Sequence, residues 1–435
     1  YKAGKKNYGN NYTTAQGVWE SIHNPITQHM LETGEDIPDE LIDDNVYYNK
    51  SGKRDVRYLE SLRDFHNKYV KRKLIQSVSK KGDILIDMSV GKGGDLSKWI
   101  KSRLNFVFGI DYSKDNIENR INGACARYLN DKKRTRMMPG AIFLAGDSSK
   151  NIRSGEAAIG GERSEKIMKA IFGNGPKDEK EIGFGVYKKY GIAEEGFDIV
   201  SNQFSIHYFF KDRNTLNNFV RNVSECCKVG GHFIGTTYNG EKVYNELESL
   251  SKGESINIMD GEKKLWEITK QYDNLKDGFK DDANCVGLQI DVYQESINKV
   301  FPEYLVNFEY FNSLLEHYGF APLNAEESNK LGFNKSIGSF EDLHDNMLKE
   351  TNKHKSTRNY YGKADKLNLN EKQISFLNNY FIFKKIRDVD TESVFNTQIK
   401  EIIKKSSKKK IKKLGRKIKI SRKNQKKKKP LVIKQ

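Results

Sequence analysis

Five short runs of almost unbroken apolar character restrict this chain's fold more than any other feature: ILIDMSV (84–90), NFVFGID (105–111), AIFLAGD (141–147), FDIVSNQ (197–203) and HFIGTT (232–237). A strand with one wet face alternates apolar and polar residues, whereas a strand covered on both faces need not. Between the runs lie stretches with helical spacing, such as GDLSKWIKSRL and NTLNNFVRNVSECCKV. Buried strands alternating with helices predict an α/β fold, a doubly wound and mostly parallel sheet. NYFIFKKI (379–386) reads as a late strand, antiparallel at the sheet's end. VRYLESLRDFHNKYVKRKLIQSV, ahead of the first run, reads as an amphipathic helix.

Two stretches break the alternation. Residues 150–196, rich in Gly, Lys and Glu, and residues 240–300, of mixed charge, are far longer than ordinary connections and read as insertions. The charge is just as uneven. Seventeen Lys or Arg and no acid lie between Lys404 and Gln435, against a net charge of +18 for the whole chain, so the part before Lys404 is nearly neutral. The expected organisation is an extension or linker over 1–55, one domain over 56–390, and a basic, disordered tail over 391–435 that either gathers phosphates or is only a solubilising end. Four cysteines at these positions support neither a disulfide framework nor a zinc site. No apolar run approaches a membrane span and no secretory pattern is present, so the expectation is an intracellular protein without a membrane partner. The first residue is Tyr1 rather than Met, which suggests a piece of something longer.

The sharpest local signal is Asp87-Met88-Ser89-Val90-Gly91-Lys92-Gly93-Gly94-Asp95, leaving a predicted strand and opening a predicted helix. Glycines let the backbone turn tightly and approach a ligand closely. The next strand ends in Asp111, placed to accept hydrogen bonds from both hydroxyls of a ribose. A plain turn accounts poorly for three glycines together with that acid. A dinucleotide site would rest a pyrophosphate on the helix N-terminus, where Asp95 would oppose it. S-adenosylmethionine carries no phosphate but has a cationic sulfonium and an amino group, which Asp87 and Asp95 suit. Asp147-Ser148, ending the third strand, would lie beside an adenine and accept from its exocyclic amine; the same pair is also a common helix cap. In the following helix Trp99 reads as core, and Lys98 and Lys101 as a solvated face.

In this setting the chain resembles the messenger RNA cap guanine-N7 methyltransferases. The resemblance runs from about Val56 to Lys385, insertions excepted, through HNKYVKRKLI, GKGGDLSKW (91–99), AGDSSK (145–150), FDIVSNQFSIHYFF (197–210), GGHFIGTTYNG (230–240) and EYLVNF (303–308), in the family's order. It implies a Rossmann-like class I methyltransferase with S-adenosylmethionine as cofactor and the capped 5′ end of mRNA as partner. By position, Lys71, Asp87, Gly91, Asp111, Asp147, Ser148 and Gln203 match cofactor-holding residues. Asn67, Phe204, His207, Tyr208 and Glu303 match residues around the cap guanosine, and Tyr380 resembles a tyrosine that closes over it. One departure is Ser89, where the family has a glycine; weaker or slightly shifted cofactor binding is the expectation. The 150–196 segment resembles that of multifunctional capping enzymes of large DNA viruses. GVWESIHNPIT likewise resembles the stretch that joins their guanylyltransferase and methyltransferase regions. Upstream triphosphatase and guanylyltransferase modules are therefore implied, with room for a stimulatory subunit and, if the source is viral, a place in host cytoplasm or virion.

The implied chemistry is methyl transfer in line from a sulfonium to guanine N7, whose lone pair needs no deprotonation. Proximity and electrostatics suffice, which agrees with the lack of a nucleophile–base pair in the sequence. In that scheme His207, Tyr208 and Glu303 position the guanine: Glu303 accepts from N1 and N2, Phe204 and Tyr208 flank the ring, and His207 and Asn67 supply polar contacts. No metal is called for. Two rival readings stay open: a methyltransferase for another RNA or protein acceptor, and a catalytically silent module that binds RNA or a partner subunit.

Overall fold

The computed structural model describes residues 59–295, 297–353, 358–398 and 400. The expected 1–55 extension and the basic run from Lys404 lie outside the described residues. Five runs form the parallel part of one sheet: β1 (Ile84–Asp87), β2 (Phe106–Asp111), β3 (Gly140–Ala145), β4 (Phe197–Gln203) and β5 (Cys227–Tyr238). A separate antiparallel sheet follows in the chain: β6 (Ser255–Asp260), β7 (Lys263–Lys270), β8 (Gln289–Gln294) and β9 (Lys299–Tyr304). The chain then returns to the first sheet with β10 (Phe320–Pro322), β11 (Ile337–Ser339) and β12 (Asn378–Lys385). The main sheet runs β10-β12-β5-β4-β1-β2-β3, with β11 also on β12.

Both faces of this sheet are covered, which is why its strands lack alternation. Along β1, Leu85 points to one side with Val107, Ile199, Ile234 and Ile382, under helices Lys71–Val78, Leu96–Lys101 and Phe340–Lys353. Ile84 and Ile86 point to the other side with Phe108, Val200, Phe233 and Phe381, under helices Arg213–Cys226 and Phe308–His317. β12 pairs antiparallel with β5 as expected, but it is not the end of the sheet, because β10 and β11 pair along its outer side. At Gly235, on β5, the flanking strands β4 and β12 leave no room for a side chain: a Cβ would meet Asn202 O at 2.2 Å and Phe381 at 2.3 Å.

The two excursions have different structures. The 150–196 segment forms helices Glu162–Ile171, Glu179–Ile182 and Phe184–Tyr187, and inserts Met168, Ile171 and Phe172 into the core. The 240–300 segment forms most of the second sheet, joined to the first where Trp266 Nε1 donates to Tyr238 Oη at 3.0 Å. The first part of the expected tail, where it is described, is ordered. Residues 391–398 are helical, with Thr391 Oγ1 donating to Glu225 Oε1 (2.7 Å) and Val394 packed on the core. Among the described residues no helix is long and apolar enough to cross a membrane.

Candidate active site

Strand order reverses between β1 and β4, with β2 and β3 on one side and β5 on the other. At such a switch point the loops leaving the strands' C-terminal ends part and open a crevice. Asp87, Asp111 and Gln203 each end a strand at that edge. The loop after β1 passes through Gly91 (φ 53°) and Gly93 (φ 69°), a left-handed backbone that favours glycine. It is fastened to three neighbours: Gly91 N–H donates to Asp111 Oδ2 (2.8 Å), Val90 N–H to Ile110 O (2.9 Å), and Ser148 Oγ to Met88 O (2.8 Å). Asp111 Oδ1 also accepts from Ser113 N–H (3.0 Å) and Asn116 Nδ2 (2.9 Å). Burial raises the Asp111 carboxyl, and these donors oppose the rise.

The two acids of the loop have opposite electrostatics. Asp87 is 2% exposed, accepts from Ser89 N–H at 3.1 Å and forms no ion pair among the described residues. Burial, with the Asp95 charge adding to it, pushes Asp87 up to about 7. Burial would also raise Asp95, but the Lys71 and Lys98 ammonium groups prevail and hold it at about 2. Lys98 Nζ lies 2.7 Å from Asp95 and Lys71 Nζ lies 3.5 Å from it. The expectation of a solvated Lys98 is therefore corrected: it is 5% exposed, and its ammonium also donates to Gly94 O at 3.0 Å. The i,i+3 spacing from Asp95 was the available signal. Lys101, one turn on, is exposed as expected, and Trp99 is core.

Ser89 occupies the family's glycine position without left-handed backbone. Its hydroxyl donates to Met88 O (2.7 Å) and accepts from Asn202 Nδ2 (3.2 Å), so it is woven into the end of β4. Asp147 Oδ1 accepts from Ser149 N–H (2.9 Å) and Ser149 Oγ (2.6 Å), the local turn that Asp-Ser pairs commonly form. The Ser148 hydroxyl is already used on Met88. The Gln203 amide lies between Ser201 Oγ and Thr236 Oγ1, each at 3.2 Å.

Beyond β4 the chain turns through Phe204, left-handed at φ 57° although not glycine, with its N–H donating to Thr236 O at 2.9 Å. Such strain persists where the surroundings over-determine it, and functional sites are where it clusters. The Phe204 ring stacks on His66 (5.1 Å, 17°) and lies under Lys71 Nζ (5.6 Å). His66, which sequence reasoning missed for want of any local signal, is followed by Asn67; both belong to a π-helical turn, Phe65–Val70, inside the long amphipathic helix. π-Helical turns frequently mark functional sites. Asn67 Nδ2 donates to Arg63 O at 3.1 Å.

His207 and Tyr208 follow on the short helix Ile206–Phe209, their rings 4.3 Å apart. Opposite them, on β9, stands Glu303, whose Oε1 lies 3.6 Å from His207 Nε2. Both residues are buried, and among the described residues neither Glu303 Oε2 nor His207 Nε2 has a hydrogen-bond partner. Burial pushes the Glu303 carboxyl up to about 8 and His207 down to about 3. Tyr380 is not gathered with these residues. It is 1% exposed, tilted against Phe333 (4.9 Å), and its hydroxyl donates to Lys335 O at 3.0 Å. Among the described residues no cluster of three or more His, Cys, Asp or Glu is disposed to hold a metal ion.

The reversed strand order, glycine loop and strand-ending acids define a Rossmann-like class I methyltransferase architecture. Residues 44–386 match the mRNA (guanine-N(7))-methyltransferase domain, and the chain belongs to that family. Over 329 residues it is 27% identical to a probable mRNA-capping enzyme of Acanthamoeba polyphaga mimivirus, covering 69% of this chain and 26% of that protein. Over 292 residues it is 26% identical to the mRNA cap guanine-N(7) methyltransferase of Saccharomyces cerevisiae, covering 64% and 55%. With the Schizosaccharomyces pombe enzyme of the same name the identity is 29% over 278 residues, covering 61% of each. The chain thus spans less than two thirds of the length of these relatives.

Proposed function

We propose that this chain transfers a methyl group from S-adenosylmethionine to guanine N7 of the GpppN cap of mRNA. The observation that carries the cap assignment is the buried Glu303 carboxyl with an unpartnered Oε2, facing an unpartnered His207 Nε2. A buried polar atom without a partner is rare and invites a ligand. Guanine presents two neighbouring donors, N1–H and N2–H, which one carboxylate can accept together; adenine presents no such pair. That favours a guanine over other RNA bases. The family membership and the names of the relatives support the same reading.

The cofactor's fit rests on this chain's own atoms. Asp87 is a buried acid with no ion pair among the described residues, in a loop whose other acid has two, so a cationic ligand would supply a direct partner for Asp87. A Cβ at Gly91 would find nothing within 4 Å, so the space beside the loop is open. Bound S-adenosylmethionine supplies an electrophilic methyl group on a sulfonium. Asp87 would take the amino acid end, Asp111 the ribose through the remaining capacity of Oδ2, and the backbone after Asp147 the adenine edge. Lys71 neutralises Asp95 and, over Phe204, ties the cofactor side to the guanine side.

The protein's part in the reaction is orientation and charge. Glu303, once ionised, places negative charge beside a ring that becomes cationic as N7 is methylated, and so stabilises the transition state more than the ground state. His207, neutral at physiological pH, supplies a polar contact without adding repulsive charge. The N7 lone pair needs no base, so no side chain has to take a proton from the nucleophile.

The test is methyl transfer from labelled cofactor to GpppN-ended RNA, with products identified after nuclease digestion. Uncapped RNA and Glu303→Ala run alongside. Label in m7GpppN, lost in the variant, is the expected result. Label in an internal base or a protein would replace the cap reading with another acceptor. Failure to bind the cofactor would favour the silent module.

A further inference from the structure

Tyr360, on the helix Arg358–Tyr361, is 59% exposed and carries two cations: Arg72 Cζ lies 5.3 Å and Lys101 Nζ 5.8 Å from its ring centroid. Arg72 donates from Nε to Gln76 at 3.1 Å, and among the described residues neither cation pairs with a carboxylate. Partial burial and the Arg72 charge hold the Lys101 ammonium below the ordinary lysine value. Two like charges share one exposed aromatic ring, and among the described residues neither has a carboxylate within ion-pair distance. An anion would relieve their repulsion, and a planar ring beside that anion would find a stacking surface.

The location favours a particular occupant. Arg72 directly follows Lys71, which pairs with Asp95, and Asn67 lies a turn earlier on the same long helix. Lys101 lies one turn beyond Lys98, the other partner of Asp95. The platform therefore adjoins the candidate site. A second basic-aromatic cluster, with Lys188 Nζ 4.1 Å over Phe184, belongs to the 150–196 segment. There Lys189 lies over Phe106, at the start of β2, which is the sheet edge opposite Asp87 and Gln203. Of the two clusters, the one at Tyr360 is the one joined to residues of the candidate site.

We infer that Tyr360, Arg72 and Lys101 form a platform for the single-stranded nucleotides that follow the cap, the ring stacking on a base and the two cations taking a phosphate. Aromatic stacking with flanking cations is how single strands are held without sequence preference. The origin of this RNA rests on the cap-methylation reading; the affinity for single-stranded RNA does not.

The experiment compares the full chain with Tyr360→Ala, Tyr360→Trp and an Arg72→Gln/Lys101→Gln double variant. Methylation is measured on the dinucleotide GpppG and on a capped RNA of about six nucleotides, and binding of the uncapped oligomer by fluorescence anisotropy. A basic tail common to all variants cancels in the comparison. The expected result is a KM for the oligomer raised roughly tenfold in Tyr360→Ala and restored in Tyr360→Trp, with GpppG unaffected and uncapped RNA bound correspondingly more weakly. Equal impairment on both substrates overturns the inference and makes the ring structural. Unchanged RNA binding in every variant also overturns it and leaves the surface to a protein partner. If neither substrate is methylated the cap reading fails, and the anisotropy of the uncapped oligomer alone decides the platform.

Discussion

His207 Nε2 and Glu303 Oε1 face each other across 3.6 Å, one on the helix after β4 and the other on the last strand of the second sheet. Each is neutral in the unliganded protein at neutral pH, because burial drives their proton equilibria in opposite directions. A cap guanine that donates two hydrogen bonds would stabilise the ionised Glu303 and lower its proton affinity.

Cap affinity should therefore depend on pH through Glu303. The carboxylate fraction grows as pH rises through about 8, so KM for the cap should fall between pH 6.5 and 8.5 in the parent protein. Glu303→Gln should be weaker by roughly tenfold or more and should lose that pH dependence. Stability should move the other way. A carboxyl raised in the folded state binds its proton more tightly than in the unfolded chain, so its contribution is lost as pH rises from the ordinary carboxylate range through about 8. Glu303→Gln should flatten that decline in thermal melts, and a pH profile identical to the parent's would refute the assignment.

Cofactor binding should carry its own, lower pH signature. Asp87 titrates near 7 and Asp95 near 2, so only Asp87 changes charge in the neutral range. Calorimetric affinity for S-adenosylmethionine should tighten several-fold from pH 6 to pH 8. Asp87→Asn should bind weakly at both.

Lys98 and Lys101, three residues apart on one helix, should differ sharply on substitution. Lys98→Met leaves a buried carboxylate with only the more distant Lys71, and should cost on the order of 3 kcal/mol in urea unfolding. Lys101→Met, at an exposed position, should fall within about 0.5 kcal/mol of the parent. Comparable losses would mean that the Asp95 network is not what stabilises the loop.

Tyr380→Phe separates packing from cap closure. The lost bond to Lys335 O should lower stability by about 1 kcal/mol while KM for the cap stays unchanged. A raised KM would return Tyr380 to the cap site.

Much of the fold was legible because it depends on local, periodic information. The apolar runs lie at β1 to β5, and the late NYFIFKKI run is β12, since strands buried on both faces must be apolar throughout. What escaped was the outer side of β12, because β10 and β11 are three residues each and leave almost no pattern. The glycine loop was legible for a similar reason, as its backbone conformation needs glycine at particular positions.

The sequence by itself determined the doubly wound architecture, the loop, and the acids that end β1 and β2, because strand burial and backbone conformation are written in neighbouring residues. Only the tertiary structure decided which charges are compensated. Lys98 reads as a surface lysine until helix packing buries it on Asp95, and nothing in the residues around Glu303 places it beside His207 until the second sheet carries it there. Ionisation depends on burial and on partners distant in the chain, here 96 positions from His207 to Glu303, and no local pattern encodes either.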